Sequence, residues 1–326
     1  PGFVSYNQAI NIVRLAAFLG IIAAGQTLVI ISGNAGIDLS VGAVVTLGAI
    51  LVFRYVDGQN GRVIPALGIA LAVGAGIGLV NGVGITFLGI PPLVMTLGMA
   101  GVVQGLILVV TQGQMMGDPA PIMSELISEP IFLGIPGVVV IWALLGGLMW
   151  LLLERTRYGK QLFGIGVNRR TSCFSGVRVP LMVLATYSLS GLLAALGGFM
   201  VLGFTGSVFL NLGDRYLFPS IAAVVVGGTI LAGGEGSYFG TMSGALVLTL
   251  ITSLLTAVQL PEAARLIVLG AILLVLYLST SVRQVKVQET GILIRFGRIV
   301  RSQVDPGICL KWPWPVDTVR RYDTQV

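Results

Sequence analysis

Long apolar stretches alternate with short polar connections along this chain. Asp, Glu, Lys and Arg are absent from 15–37, 39–53, 63–117, 130–153, 179–213, 216–234, 236–261 and 266–282. A helix needs about 20 mostly apolar residues to cross about 30 Å of hydrocarbon. Most of these runs qualify once, and 63–117 is long enough for two. It divides at Asn81-Gly82 and at Ile90-Pro91-Pro92, where the prolines remove donors and extend the backbone. The pattern predicts nine membrane segments, roughly 12–32, 40–53, 63–81, 93–112, 134–153, 180–202, 218–233, 241–257 and 264–281. The second is short and reads as a half-helix or re-entrant piece. None shows the alternation of a membrane barrel strand. The expected fold is an all-α polytopic membrane protein.

Charge in the connections orients these segments, because short cytoplasmic loops carry excess Lys and Arg. The connection 154–179 holds Arg155, Arg157, Lys160, Arg169, Arg170 and Arg178 against Glu154. The connection 113–133 holds Asp118, Glu125 and Glu129 and no base. The first is therefore expected in the cytoplasm and the second outside, as are residues 1–11. An outer start at Pro1 leads us to expect an earlier membrane helix before this sequence. Arg54 and Arg62 in the outer connection 54–62 run against this orientation.

Composition agrees and then divides the chain. Of its 326 residues 55% are hydrophobic and 10% charged, where a soluble domain carries roughly 25% charged. Histidine is absent, which excludes an imidazole base, a Ser-His-Asp triad and a His-bound metal. Cys173 and Cys309 are too few for a zinc cluster and too far apart in sequence for a redox pair. Residues 282–326 carry most of the net charge of +6 and read as short strands at 285–288, 292–296, 308–312 and 318–322, with turns at 289–291 and 305–307. The expected domains are thus 1–281, transmembrane, and 282–326, a short β-rich fragment. Contact with anionic lipid headgroups suits the basic tail better than nucleic acid does.

The chemistry of the membrane part is sparse. No phosphate-binding loop ending in Gly-Lys-Ser/Thr is present, so the chain does not itself hydrolyse nucleotide, and no residue set suggests a bound cofactor or metal. The Gly-rich run 227–236 lies between membrane helices rather than after a strand. Small-residue spacing explains it better: Gly74, Gly78 and Gly82, then Gly101 and Gly105, then Gly236, Gly240 and Gly244 recur every four residues, as close helix packing requires. Polar residues inside spans are costly. Gln26, Asn81, Thr96, Gln104 and Thr186 are such residues, and they serve as interhelical hydrogen bonds or as the lining of a solute path. Asp38 and Ser40 follow Gly33-Asn34-Ala35-Gly36 at a segment boundary, where the choice is between an N-cap and a broken-helix site meeting a polar solute. No carboxylate sits plainly at mid-membrane.

These residues carry a resemblance. Gly25-Gln26-Thr27-Leu28-Val29-Ile30 and Gly36-Ile37-Asp38-Leu39-Ser40-Val41-Gly42 resemble permease subunits of ribose-type, simple-sugar ABC importers. Asn81-Gly82, Ile90-Pro91-Pro92, Thr96-Leu97-Gly98, the stretch Glu154 to Lys160, Gly166-Val167-Asn168, Ser175-Gly176-Val177, Ile221 to Thr229 and Gly234 to Ser237 follow in order, so the resemblance covers about 5–275. It implies a pore of two permeases in the bacterial cytoplasmic membrane, ATP hydrolysed by separate ATPase subunits, and an extracytoplasmic solute-binding protein. It also implies that Arg155, Arg157, Tyr158, Gly159, Lys160, Gly166, Asn168, Ser175 and Gly176 belong to an ATPase-coupling loop, where the charges alone read as ordinary positive-inside anchoring. The residues themselves read as two amphipathic pieces, near 158–167 and 171–177. Leu217-Phe218-Pro219-Ser220 and Glu235 depart from the family pattern, which leaves the solute open.

The tail is similar to something else. The stretch 288–298, Pro306-Gly307 and Lys311-Trp312-Pro313-Trp314-Pro315-Val316-Asp317 resemble the opening of stomatin/prohibitin-type membrane proteins, HflC-like protease modulators among them. That resemblance implies a membrane scaffold or protease-modulating role as the alternative function. The tail is then either a natural fusion or a second reading frame joined near 270–282.

Overall fold

A computed structural model describes residues 5–132, 134–279, 282–285, 289–295, 298–304, 307–310 and 317–323. The chain starts with α1 (Tyr6–Ile31), α2 (Val41–Val56), a short 3-10 turn (Asn60–Arg62), α3 (Val63–Phe87) and α4 (Pro92–Thr111). Next come α5 (Pro121–Ile127), the small hairpin β1 (Pro130–Phe132) and β2 (Ile135–Pro136), and α6 (Gly137–Trp150) with a π turn (Leu151–Arg155). The basic connection forms α7 (Arg157–Val167) and α8 (Arg169–Phe174). Then follow α9 (Val179–Thr205), α10 (Asp214–Val226), α11 (Tyr238–Ala257) and α12 (Glu262–Ser279).

The chain divides into two compact units, Pro1–Ser253 and Leu254–Val326. In the second unit, β4 (Glu289–Arg295) pairs antiparallel with β5 (Arg298–Val304) and β7 (Asp317–Asp323), and β3 (Val282–Val285) with β6 (Gly307–Leu310). The turn expected at 289–291 is absorbed into β4. Residues 286–288, Phe296, the turn residues Asp305 and Pro306, and the segment Lys311 to Val316 lie outside the described residues.

Within the first unit α1 is the hub. Every residue from Ala16 to Ile31 is buried, as expected for a helix that is apolar all round. Helix α9 packs beside α1, α2 and α3 through small residues. A methyl group on Gly25 would meet the Ser190 backbone at 2.9 Å, and one on Gly48 the Ala195 backbone at 3.0 Å. Methyl groups on Gly74 and Gly78 would land on the carbonyl oxygens of Gly191 and Tyr187, and one on Gly82 on Leu184. Such contact gains van der Waals energy where lipid removes the hydrophobic drive between helices. Gly240 and Gly244 set α11 in the same way against Gly227 and Ala223, and Gly236 abuts the Thr229 side chain. Gly101 and Gly105 differ: nothing lies within 4 Å of the added methyl on either. That face of α4 has no neighbour among the described residues of this chain.

Six described helices are long and apolar enough to cross a membrane, and α2 is a shorter apolar one, where the apolar runs predict nine segments. The clearest departure is 218–233. It is helical only to Val226, because the chain then enters a glycine-rich loop with Gly228, Gly233 and Gly234 at positive φ. The amphipathic piece expected at 171–177 is likewise shifted, to Arg169–Phe174. Arg54, the base that sits poorly in an outer loop, donates to the carbonyl of Val110 near the end of α4.

Candidate functional site

The connection between α1 and α2 folds back into the protein. Gly33, Asn34 and Ala35 all have positive φ, a left-handed turn that Gly33 adopts without steric penalty. The chain then climbs beside α1 until the Asp38 amide donates to Gln26 Oε1 at 3.2 Å and Gln26 Nε2 donates to the Asp38 carbonyl at 2.6 Å. Asp38 Oδ1 accepts from the Ser40 amide at 3.0 Å and from Ser40 Oγ at 2.6 Å. Its Oδ2 accepts from Ser190 Oγ at 2.8 Å. Asn81 Nδ2 donates to Ser40 Oγ at 3.0 Å, and Thr96 Oγ1 donates to the Ile37 carbonyl at 3.1 Å.

Five of the polar residues singled out in sequence therefore form one buried cluster: Gln26, Asp38, Ser40, Asn81 and Thr96. Ser190 joins them unforeseen. Ser40 makes no side-chain cap, and the Asp38 carboxylate captures an orphan amide at the start of α2 instead. Ser190 lies near the middle of α9, so Asp38 is a carboxylate at membrane depth, against the sequence expectation of none. The Tyr187 hydroxyl and Asn81 Oδ1 are buried without a hydrogen-bond partner. Asn34 stands apart, exposed at the tip of the turn.

The basic connection lies against the same broken end. Thr156 Oγ1 accepts from the Gly159 amide and caps α7, and Asn168 Oδ1 caps α8 by accepting from the amides of Arg170 and Thr171. Ser175 Oγ donates to the Thr171 carbonyl at 3.0 Å, and Gly176 follows at φ +82° with open space around it. Tyr158 OH pairs with Thr186 Oγ1 at 2.9 Å, and burial pushes its pKa up to about 12, so it stays a neutral phenol. Burial pulls the Arg169 guanidinium below its usual value, and its Nε has no partner. Arg155 stacks over the Trp150 ring at 5.2 Å, whereas Arg157 and Lys160 are exposed.

Three loops converge at this end. The amide of Gly234 donates to the Ile31 carbonyl at 2.9 Å. A methyl on Gly166, in the last turn of α7, would strike both the Ile31 carbonyl and the Gly234 amide, and one on Gly33 would come within 2.9 Å of the Gly166 carbonyl. The end of α7, the end of α1 and the loop after α10 thus touch backbone to backbone.

A second break lies on the other side of α2. After α9 the chain returns along that helix, where the Gly213 amide donates to Thr46 Oγ1 at 2.9 Å. Helix α10 therefore starts level with the first turns of α2, well inside the depth spanned by α9. Its first residue is the exposed Asp214. Gln104, Asn211 and Asp214 border one open cleft with Ile107, Leu108 and Leu210, of about 210 Å³. Of these, sequence reasoning had found only Gln104. Asn211 and Asp214 lie between the predicted segments 180–202 and 218–233, outside both. The signal available was the length of the next run, 216–234, which is short for a span once its glycine pairs are set aside.

The family model described as "Branched-chain amino acid transport system / permease component" matches residues 8–277. The chain belongs to this permease family. The ribose import permease protein RbsC of Bacillus subtilis (strain 168) is 35% identical over 279 residues, covering 84% of this chain and 85% of that protein. RbsC of Escherichia coli (strain K12) is 33% identical over 289 residues, covering 87% and 88%. The fructose import permease protein FrcC of Rhizobium meliloti is 36% identical over 252 residues, covering 72% and 67%. No solved structure matches the chain. The permease is a multi-pass membrane protein and a transporter subunit, not an enzyme.

Proposed function

We propose that this permease forms the translocation path of an ATP-driven importer for a sugar or similar small polar solute in the bacterial cytoplasmic membrane. Separate ATPase subunits bind and hydrolyse ATP, an extracytoplasmic binding protein delivers the solute, and a second permease copy or a paralogue completes the pore. The chain itself binds no cofactor. Its named relatives import ribose and fructose, which supports the solute class.

The observation that carries the coupling reading is the seat of Gly166. An ATPase that grips the exposed side of α7 and α8 pulls on a helix whose end rests directly on the backbone of Ile31 and Gly234. Close-packed backbones transmit such a displacement rather than absorb it. Arg157 and Lys160 offer exposed charge to the ATPase groove, and the open Gly176 turn leaves room for it to close over α8.

The test is uptake by vesicles holding this permease with its ATPase and loaded binding protein, using labelled ribose and fructose. ATP-dependent accumulation is expected, and Gly176→Trp should abolish it together with the stimulation of ATP hydrolysis while the protein still inserts. Normal uptake by Gly176→Trp overturns the coupling role.

We place the permease domain at 1–281 and read 282–326 as the opening of a stomatin/prohibitin-type unit, fused naturally or joined from a second reading frame. Antiparallel pairing of β4 with β5 and β7 supports a β-rich unit there. The family match ends before it, at residue 277.

A further inference from the structure

We infer that the cleft between α4 and the start of α10 is a solute-contact site, in which Gln104, Asn211 and Asp214 select neutral polyhydroxylated solutes over anionic ones. The inference rests on the sugar-import reading and assigns it a place in the permease.

Depth is the first argument. Gln104 lies in the interior of α4, and Asp214 opens a helix that begins inside the membrane, beside Gly42 and Thr46 of α2. An ionised carboxylate facing lipid at that level is strongly unfavourable, so intramembrane acids face protein or a water-filled cavity. Asp214 is exposed in this chain, and the guanidinium of its neighbour Arg215 lies over the Phe209 ring at 5.5 Å. Water and polar solute are the surroundings that suit it.

The helix break is the second. A discontinuous helix starting at mid-membrane leaves backbone amides free at its first turn, and such irregular backbone is stable only where it lines a cavity or is buried in protein. Helix α10 supplies that start, and the cleft lies against it.

Chemistry and size are the third. The Gln104 and Asn211 amides each donate and accept, and Asp214 accepts, which matches the adjacent hydroxyls of a sugar. Ile107, Leu108 and Leu210 offer an apolar wall to the C–H face of its ring. Drug-sized ligands occupy about 300–1,000 Å³, so a cleft of about 210 Å³ suits one small solute. The carboxylate repels sugar phosphates and sugar acids.

The open face of α4 is the fourth. Gly98, Gly101 and Gly105 have nothing within 4 Å, so among the described residues no side chain closes the cleft from that side.

The experiment uses vesicles with the full permease, its ATPase and its loaded binding protein, measuring labelled ribose and fructose uptake and ATP hydrolysis together. Gln104→Ala, Asn211→Ala and Asp214→Asn should each lower uptake by roughly tenfold or more, the loss expected when a buried hydrogen bond to solute goes unmade. Stimulated ATP hydrolysis should stay within about twofold of the parent, since none of these side chains belongs to the basic connection. Leu106→Ala, on another side of α4 and outside the cleft, should transport as the parent does. Unchanged uptake in all three cleft variants overturns the site. Parallel loss of uptake and ATP hydrolysis in all three also overturns it, since that marks a structural role. A parent that accumulates neither sugar overturns the sugar-import reading and the site with it, whereas an active parent with indifferent variants overturns the site alone.

Discussion

The backbone amide of Gly234 reaches the carbonyl of Ile31 at 2.9 Å, across some two hundred residues of sequence. That single bond ties the last turn of the buried hub helix α1 to the loop after α10. Gly166 of the basic connection is wedged against both partners. A carbonyl at a helix C-terminus has no partner inside its own helix, so the loop completes what α1 leaves open.

Gly166→Val should therefore be more damaging than its conservative chemistry suggests. The new carbon strikes the backbone of Ile31 and Gly234, and backbone cannot rotate away as a side chain can. Overpacking of this kind costs about 1–3 kcal/mol. We expect a lower midpoint in thermal denaturation of the purified permease and a loss of ATP-driven uptake. Gly164→Ala, whose added methyl would meet only the Ser172 hydroxyl at 3.3 Å, should be mild in both measurements.

At the broken helix the comparison is between two replacements of Asp38. Alanine strands three buried donors: the Ser40 amide, Ser40 Oγ and Ser190 Oγ. Each buried donor left unpaired costs about 1–3 kcal/mol. Asparagine keeps an acceptor at the Oδ1 position and loses less. Asp38→Ala should thus unfold at a clearly lower temperature than Asp38→Asn. Equal destabilisation by the two would mean that charge, and not hydrogen bonding, holds this turn.

Much of this architecture is legible in sequence, and the rest is hidden for identifiable reasons. Charge-free runs locate the helices because bilayer thickness imposes their length. The glycine repeats announce close packing, but Gly74, Gly78 and Gly101, Gly105 have the same spacing and opposite surroundings. Which helix face finds a partner depends on tertiary placement that no four-residue period encodes. Gln26, Asp38, Ser40 and Asn81 stand out individually as polar residues among apolar ones. Their union with Ser190 depends on how far residues 33–40 climb back beside α1, a distance set by the left-handed turn at Gly33, Asn34 and Ala35. Asp214 falls outside the predicted segments for a similar reason. Its depth is fixed by the bond from Gly213 to Thr46, a contact between elements far apart in the chain.

The two glycine repeats allow a paired test of packing. Gly78→Ala places a methyl group on the Tyr187 carbonyl and should separate α3 from α9. Gly101→Ala meets nothing among the described residues, and in a helix alanine is favoured over glycine by about 1 kcal/mol. Thermal denaturation of the purified chain should show a loss for the first variant and no loss for the second. A loss in both would mean that the open face of α4 is covered in the purified state.

Tyr158 gives a prediction in pH. Its hydroxyl pairs with Thr186 Oγ1 at 2.9 Å, and burial, the dominant cause, raises its pKa to about 12 from an ordinary value near 10. The folded state therefore holds this proton more tightly than the unfolded chain does. The contribution is fully present below pH 10 and falls as pH rises from there towards 12, because the unfolded chain releases its proton first. Tyr158→Phe removes both the titration and the hydrogen bond. At neutral pH it should cost about 0.5–1.5 kcal/mol, the net worth of one such bond. The difference in stability between parent and variant should be constant from pH 7 to pH 10 and shrink above it. A difference that stays constant above pH 10 as well would show that Tyr158 titrates at its ordinary value, and that the seat of α7 on α9 is open to water.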